Sequence, residues 1–215
     1  MSRQLTSVER AFIAVERKLA KLTRGYFISF DEELVRQRGI AGFFRWGAQT
    51  DKVMNELIAS FGETRFHLVA AFASLWNGCD YCAYGHILAL NLCLYRDTQT
   101  LFPIGEHEVH ELLRLRDVEL KVLLEQRIGR SHPDFVKLVG RLSELRFADG
   151  PLQGEDKVLV KAIALYEWIN ECSITVDSPA PPLGPVSKDL ALAERYREAR
   201  AQQRQAQAAT TPPTS

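Results

Sequence analysis

Apolar residues recur with a helical period along most of this 215-residue chain. The first segment opens on a capping-box sequence, Thr6-Ser7-Val8-Glu9, and reaches Gly25. Between these points, four apolar residues repeat at i, i+3, i+7 and i+10: Phe12, Val15, Leu19 and Leu22. Because residues at these spacings share one face of a helix, the segment is predicted to be an amphipathic helix.

The same period predicts helices over most of the remaining chain. A short second helix should stop near Gly39, and the glycines that follow predict a loop over 39–47. This loop carries an aromatic cluster expected in the core or at a subunit interface: Phe43, Phe44 and Trp46. Further helices are predicted over 50–61, 64–76, 80–95, 105–129, 133–147 and 154–172. The helices at 64–76 and 80–95 are the most apolar, which is typical of buried helices. Strand evidence is confined to a short β-branched run at 174–176, so the fold class is predicted to be all-α.

A change of composition divides the chain after residue 176. Residues 1–176 are predicted to form the helical domain, and 177–215 a Pro-rich linker and flexible tail. The linker at 178–185 has a stiff, extended composition. Residues 188–207 have good helix propensity but few groups to bury, so that a marginal helix and disorder are both left open. The ending at 210–215 is expected to be disordered.

Charge and cysteine content narrow the class of protein. The chain has 27 basic and 27 acidic residues, and this balance offers no electrostatic reason to expect nucleic acid or an anionic membrane as a partner. No uncharged apolar run reaches the roughly 18–20 residues of a membrane span. Four cysteines in a chain of this length do not make a disulfide scaffold, and the N-terminal segment has no apolar signal core. A cytoplasmic protein is therefore expected.

Two thiols and an imidazole fall on one helical stripe. Cys79, Cys82 and His86 are spaced at i, i+3 and i+7, directly after Asn77-Gly78, which is typical of a helix start. The dithiol should therefore lie at a helix N-terminus, which carries about half a positive charge. That charge and a nearby imidazole lower the pKa of a thiol. The stripe predicts a redox-active dithiol.

The surrounding residues, 66–86, resemble the core motif of the alkylhydroperoxidase D family, in the carboxymuconolactone decarboxylase-like superfamily. The matching features are an apolar helix with a small residue five positions before Cys79, the Asn-Gly pair, an aromatic residue inside Cys-x-x-Cys, and His86 four positions after the second cysteine. The segment 154–170, which ends in Trp168-Ile169-Asn170, resembles the closing helix of the family more loosely. The resemblance implies a helical bundle of that family, with looser support extending over about residues 54–176.

The resemblance also implies a function, that of a thiol-dependent peroxidase or disulfide oxidoreductase in antioxidant defence. Cys82 would attack a peroxide or disulfide substrate, Cys79 would resolve the sulfenic acid into a disulfide, and His86 would belong to a proton relay. No organic cofactor is needed, because the dithiol carries the electrons and an external thiol reductant, either a protein or a small molecule, restores it. A homo-oligomer, commonly a trimer or a hexamer, is implied as well.

One position departs from the family pattern. Peroxidase members carry a glutamate twelve residues before the first cysteine, where this chain has His67. Glu63, one helical turn earlier, is a candidate substitute, and a His67–His86 pair is itself a candidate relay, because imidazoles exchange protons near neutral pH. His67 is therefore counted as a candidate site residue with Cys82, Cys79 and His86.

Other interpretations of the same four side chains stay open. Two thiolates and two imidazoles are the inventory of a tetrahedral zinc site, although such sites normally take their paired cysteines from a tight turn. The alternative function is a non-enzymatic redox-responsive or zinc-binding interaction protein on the same scaffold. Outside the stripe, Cys93 and Cys172 are expected to be a core residue and a bystander, and His107 and His110 to lie on a solvated helix start.

Overall fold

The computed structural model describes residues 3–174, 176 and 180–210. Within them the chain forms nine α-helices and two 3-10 turns without a strand, which confirms the all-α class. The helices are α1 Ser7–Arg24, α2 Asp31–Phe61, α3 Glu63–Trp76, α4 Asp80–Thr98, α5 Val109–Leu112, α6 Asp117–Ile128, α7 Pro133–Leu145, α8 Gly154–Ser173 and α9 Leu190–Thr210. The 3-10 turns are Glu106–Glu108 and Pro185–Lys188. None of the helices described is both long and apolar enough to cross a bilayer.

Helices α3 and α4 form the centre of the fold. Every residue from Phe66 to Leu75 is buried, and α4 is buried over most of its length from Tyr81 to Leu94. Helix α3 packs against α4 and also against α2, α7 and α8. The predicted burial of these two apolar helices is therefore confirmed, and the chemistry that they carry lies inside the protein.

The loop predicted over 39–47 is wrong. Helix α2 continues through it, and only Gly39 has non-helical dihedral angles, φ 69° and ψ 175°, so the expected stop is a kink. Phe43 and Trp46 lie one turn apart and are 7% and 6% exposed, whereas Phe44 is 61% exposed. Burial of a large aromatic residue contributes about 1.5–3 kcal/mol. This outweighs the roughly 1 kcal/mol cost of a glycine inside a helix.

The single helix predicted over 105–129 is wrong as well. The structure has the 3-10 turn Glu106–Glu108, the short α5, and then α6 from Asp117. The backbone N–H of Arg116 donates to Glu119 Oε2 over 2.8 Å, so a new helix starts where the sequence pattern shows no interruption.

The C-terminal segment makes more contacts with the rest of the protein than its composition predicts. Of the two alternatives left open for 188–207, the structure shows the helix, α9, and the expectation of few groups to bury is wrong. Leu192 is 0%, Tyr196 1% and Arg200 4% exposed, because they pack onto α4. The Arg200 guanidinium donates to the Phe102 carbonyl over 2.9 Å and to Asn91 Oδ1. The ending at 211–215 and residues 177–179 of the predicted linker lie outside the described residues.

Candidate functional site

The predicted dithiol lies at a helix N-terminus, as its spacing indicated. Gly78 adopts a φ of 72° in the turn after α3, and Cys79 is the N-cap of α4. Cys79 Sγ accepts the backbone N–H of Cys82 over 3.5 Å. Both cysteines are free and buried, at 0% and 2% exposure. One of the four N–H groups that a helix start leaves unpaired is thus directed at a sulfur.

A serine from α8 lies between the two sulfurs. Ser173, the final residue of α8, places its Oγ 3.1 Å from Cys79 Sγ and 3.2 Å from Cys82 Sγ. The Ile169 carbonyl accepts the same hydroxyl over 3.2 Å, and the side chain is 0% exposed. Sequence reasoning missed Ser173. The available signal was the stripe Tyr166, Ile169 and Ser173 at i, i+3 and i+7, whose two polar members stand on a buried face.

The two thiols have opposite acidities. Hydrogen bonding from the Cys82 thiol, assisted by Ser173 and by the Cys82 backbone N–H, lowers the pKa of Cys79 to about 7. The same hydrogen bond to Cys79, together with burial and the Cys79 charge, raises the pKa of Cys82 well above its ordinary value. The pair therefore loses its first proton near neutral pH, with the negative charge centred on Cys79 and the remaining proton on Cys82.

The structure brings the two predicted histidines together. His67 Nδ1 and His86 Nδ1 are 3.1 Å apart, and His86 Nε2 lies 3.0 Å from the hydroxyl of Tyr166. All three side chains are buried. Two proton arrangements fit: the chain of donors runs from Tyr166 through His86 to His67, or it runs in the reverse direction. Tyr166 was not identified from the sequence.

The imidazoles do not titrate where the sequence pattern suggested. Burial lowers the pKa of His86 to about 3. Burial, the neighbouring His86 and the Arg96 charge place the pKa of His67 well below its ordinary value. Both rings are therefore neutral near pH 7, and a His67–His86 relay, which stays a prediction, would pass protons between neutral imidazoles. Burial likewise keeps Tyr166 protonated, because it raises the pKa of its hydroxyl.

A cavity of about 450 Å³ lies beside the second thiol. Cys82, His86 and Tyr166 form part of its wall, whereas Cys79 does not line it. The rest of the wall is mainly apolar and aromatic but also carries two cations, one carboxylate and two uncharged polar side chains: Tyr26, Ile28, Phe30, Trp46, Gly47, Met54, Ile58, Tyr81, Ile169, Leu183, Gly184, Arg24, Lys188, Asp51, Thr50 and Asn55. A molecule in this cavity therefore contacts Cys82 and not Cys79, the more acidic of the two cysteines.

The segment expected to be a linker forms part of the site. Leu183 donates its backbone N–H to the Gly85 carbonyl over 3.4 Å, and Gly184 donates to the Tyr26 hydroxyl over 3.4 Å. Gly184 has a φ of 81°, and a Cβ there would lie 2.9 Å from Cε1 of His67. A Cβ on Gly85 would lie 2.8 Å from Leu183. Both glycines let the segment approach the histidine pair closely.

A different set of side chains from the predicted zinc ligands lies at metal-binding distances. In the described part of the chain, one group offers three donors within 4.8 Å of one another: Glu63, His67 and Cys93. The set Cys79, Cys82, His67 and His86 does not form such a group there. Cys93 is buried in a core cluster with α9 residues, which agrees with its predicted core position.

The remaining candidates play no part in the site. Cys172 is buried and donates to Gln37 Oε1 over 3.4 Å. His107 and His110 are exposed, as expected for a solvated helix start.

In comparisons with known proteins, no family model matches the chain, and no curated protein and no solved structure is significantly similar to it.

Proposed function

We propose that this protein is a thiol-dependent peroxidase, or a disulfide oxidoreductase of the same kind, that cycles between a Cys79/Cys82 dithiol and a disulfide. The observation that carries the proposal is the dithiol at a helix N-terminus, bridged by Ser173, with Cys82 in a cavity wall beside His86 and Tyr166. The resemblance of 66–86 to the alkylhydroperoxidase D core motif supports the same activity.

The first step of the proposed cycle moves the negative charge to the accessible sulfur. Substrate in the cavity meets Cys82, but the charge rests on Cys79. The Ser173 hydroxyl lies within 3.2 Å of both sulfurs, so it can donate its proton to the Cys79 thiolate and accept the proton of the Cys82 thiol. The result is a Cys82 thiolate, which is the nucleophilic form.

The second step breaks the peroxide bond. The Cys82 thiolate attacks the terminal oxygen of an organic hydroperoxide, an S–O bond forms, and the O–O bond breaks to release an alkoxide. The alkoxide takes the proton of the Tyr166 hydroxyl. A hydrogen bond to His86 Nε2 holds the Tyr166 side chain in the cavity wall. Because Tyr166 is a weak acid in this environment, it gives up its proton only to a base as strong as the departing alkoxide.

The third step closes the disulfide. The Cys79 sulfur attacks the sulfenic sulfur of Cys82, and the Cys79 proton passes through the Ser173 hydroxyl, which lies within 3.2 Å of both sulfurs, to the leaving hydroxide. The S–S bond forms, the S–O bond breaks, water leaves, and Tyr166 regains its proton from solvent. In total two cysteines are oxidised, and the hydroperoxide is reduced to an alcohol and water. An external thiol reductant then reduces the disulfide by exchange.

The lining of the cavity favours a hydroperoxide with an organic substituent. Five aromatic side chains form much of the wall: Tyr26, Phe30, Trp46, Tyr81 and Tyr166. Such a wall gains free energy from burying apolar surface of the substrate. We place the protein in the cytoplasm, since a dithiol that must be re-reduced works where thiols are kept reduced.

The test is hydroperoxide consumption with an excess of a small dithiol as reductant. Cys82→Ser should abolish consumption. In a separate reaction without reductant, Cys79→Ser should undergo one stoichiometric oxidation and stall as a sulfenic acid that dimedone traps. Cys172→Ser, a buried cysteine outside the site, is the matched control and should keep the wild-type rate. Multiple turnovers in both site variants, or a peroxide-induced bridge that maps to Cys93 or Cys172, would contradict the proposal.

The same experiment distinguishes an enzyme from the alternative, a non-enzymatic redox-responsive interaction protein. Such a protein would form the Cys79–Cys82 bridge, but too slowly to raise hydroperoxide consumption above the background rate of the reductant alone.

We propose that helix α1 mediates the expected homo-oligomer, because one of its faces is apolar and exposed. Val8, Val15, Leu19 and Leu22 are 56–83% exposed, and their spacing puts them on one side of the helix. The buried side of α1 is instead formed by Glu9, Ile13 and Ala20. An exposed apolar stripe of this kind is typical of a protein–protein contact, and a second copy of the chain is the partner that the proposed assembly requires.

A further inference from the structure

Three donor side chains converge behind the histidine pair. Glu63 is the first residue of α3, His67 follows one turn later on the same face, and Cys93 comes from α4. A carboxylate oxygen, an imidazole nitrogen and a thiol sulfur from these residues all lie within 4.8 Å of one another. His67 and Cys93 are both 0% exposed.

Two of these three side chains have a buried atom that makes no hydrogen bond. These atoms are Glu63 Oε1 and His67 Nε2. Because His67 Nδ1 faces His86, Nε2 is the nitrogen left for another ligand. A Cβ on Gly184 would lie 3.1 Å from this nitrogen, so the glycine leaves space beside it. Buried polar atoms are normally paired, and two unpaired donors beside a thiol point to a ligand.

We propose that Glu63, His67 and Cys93 bind a zinc ion through Oε1, Nε2 and Sγ. Zinc takes this mixture of oxygen, nitrogen and sulfur ligands at about 2.0–2.3 Å. Tetrahedral geometry then separates the ligand atoms by about 3.4–3.7 Å, which small side-chain rotations reach from the observed distances. The Cys93 thiol gives up its proton to solvent as the Zn–S bond forms, and water completes the coordination.

The charges around the three ligands fit a divalent cation. Arg96 donates to the other carboxylate oxygen of Glu63, Oε2, over 3.0 Å and to Asp97 over 2.7 Å. The positive charge of Arg96 is thus compensated by Asp97. The hydrogen bond from Arg96 to Oε2 fixes the Glu63 carboxylate and leaves its Oε1 free. The two positive charges of the zinc ion are compensated by the Glu63 carboxylate and the Cys93 thiolate, so that no net charge is buried.

Zinc at this site would select one of the two proton arrangements of the histidine pair. Coordination through His67 Nε2 requires the proton of the neutral ring on Nδ1, from which it is donated to His86 Nδ1. His86 Nε2 then donates to the Tyr166 oxygen. The metal site is thereby linked to the dithiol site, a consequence that rests on the proposed function, whereas metal binding itself does not.

The test is a titration of the full-length reduced protein with Co²⁺ in the presence of a phosphine reductant. Cobalt bound by a thiolate gives a near-ultraviolet charge-transfer band and visible bands of tetrahedral coordination. We expect one Co²⁺ per chain, displaced by Zn²⁺. Cys93→Ala should lose the charge-transfer band, and Glu63→Gln should weaken Co²⁺ binding by at least about tenfold, since loss of a direct ligand should exceed the effect of losing an outer partner.

The control is the double variant Cys79→Ser/Cys82→Ser, which lacks the redox dithiol. It should bind Co²⁺ as the wild type does although it consumes no hydroperoxide, so the two proposals fail independently. A band that persists in Cys93→Ala and disappears in the double variant would assign the metal to the dithiol and overturn the inference. It is also overturned if wild-type protein gives no band, or if Glu63→Gln, with an unchanged melting temperature, binds Co²⁺ with wild-type affinity.

Discussion

Replacement of Ser173 by alanine isolates the group that bridges the two sulfurs. The change removes one hydroxyl that lies 3.1 Å from Cys79 Sγ and 3.2 Å from Cys82 Sγ and leaves both cysteines in place. Since this hydroxyl is among the contacts that lower the pKa of Cys79 to about 7, we expect the first pKa of the dithiol to rise.

The size of the rise follows from the lost contact. A hydrogen bond to a charged group contributes about 1.5–3 kcal/mol, and one pKa unit corresponds to about 1.4 kcal/mol. The first pKa should therefore rise by about one to two units. With a starting value of about 7, the thiolate fraction at pH 7 falls from about one half to about 0.1–0.01. Iodoacetamide alkylation at pH 7 should slow by about 5–50-fold, and the difference should vanish above the new pKa.

The assay is the alkylation rate of the reduced protein against pH, with the modified cysteine located by peptide mass mapping. Ser74→Ala is the matched control, because Ser74 is also 0% exposed but its hydroxyl has no hydrogen-bond partner. It should leave the pH profile unchanged. The reasoning is refuted if Ser173→Ala keeps the wild-type midpoint, or if Ser74→Ala shifts the midpoint equally. A second inflection near pH 6–7 would contradict the neutral histidines.

Three further outcomes are expected. Tyr166→Phe should slow hydroperoxide reduction by about 10²-fold but leave alkylation at neutral pH unchanged; equal losses in both assays would exclude a proton-donor role. Arg200→Ala should lower the free energy of unfolding in urea by about 2–3 kcal/mol, because its charged hydrogen bonds to the core are lost, whereas the exposed Arg204→Ala on the same helix should change it by less than about 0.5 kcal/mol. Leu19→Glu with Leu22→Glu should reduce the mass measured by light scattering to that of one chain; an unchanged mass would place any interface elsewhere.

The sequence alone determined the features that depend on local spacing. A helical period predicted the all-α class, and the Asn-Gly pair before Cys79 predicted a helix start with the dithiol in its first turn. The burial of α3 and α4 followed from their apolar composition. These properties could be predicted because they depend on neighbours within one or two turns of the same helix.

Tertiary structure alone decided the contacts between residues distant in sequence. Ser173 reaches the dithiol 91 positions before it only because α8 packs against α3 and α4. His86 is neutral at pH 7 because the packing of these helices buries it, and burial lowers the pKa of its imidazole from the ordinary value to about 3. Composition also failed to predict the burial of the C-terminal segment. Tyr196 and Arg200 are buried by α4 rather than by their own sequence neighbours. A one-dimensional pattern holds no information on which distant surface will cover a side chain, and that surface sets the acidity and the accessibility of this site.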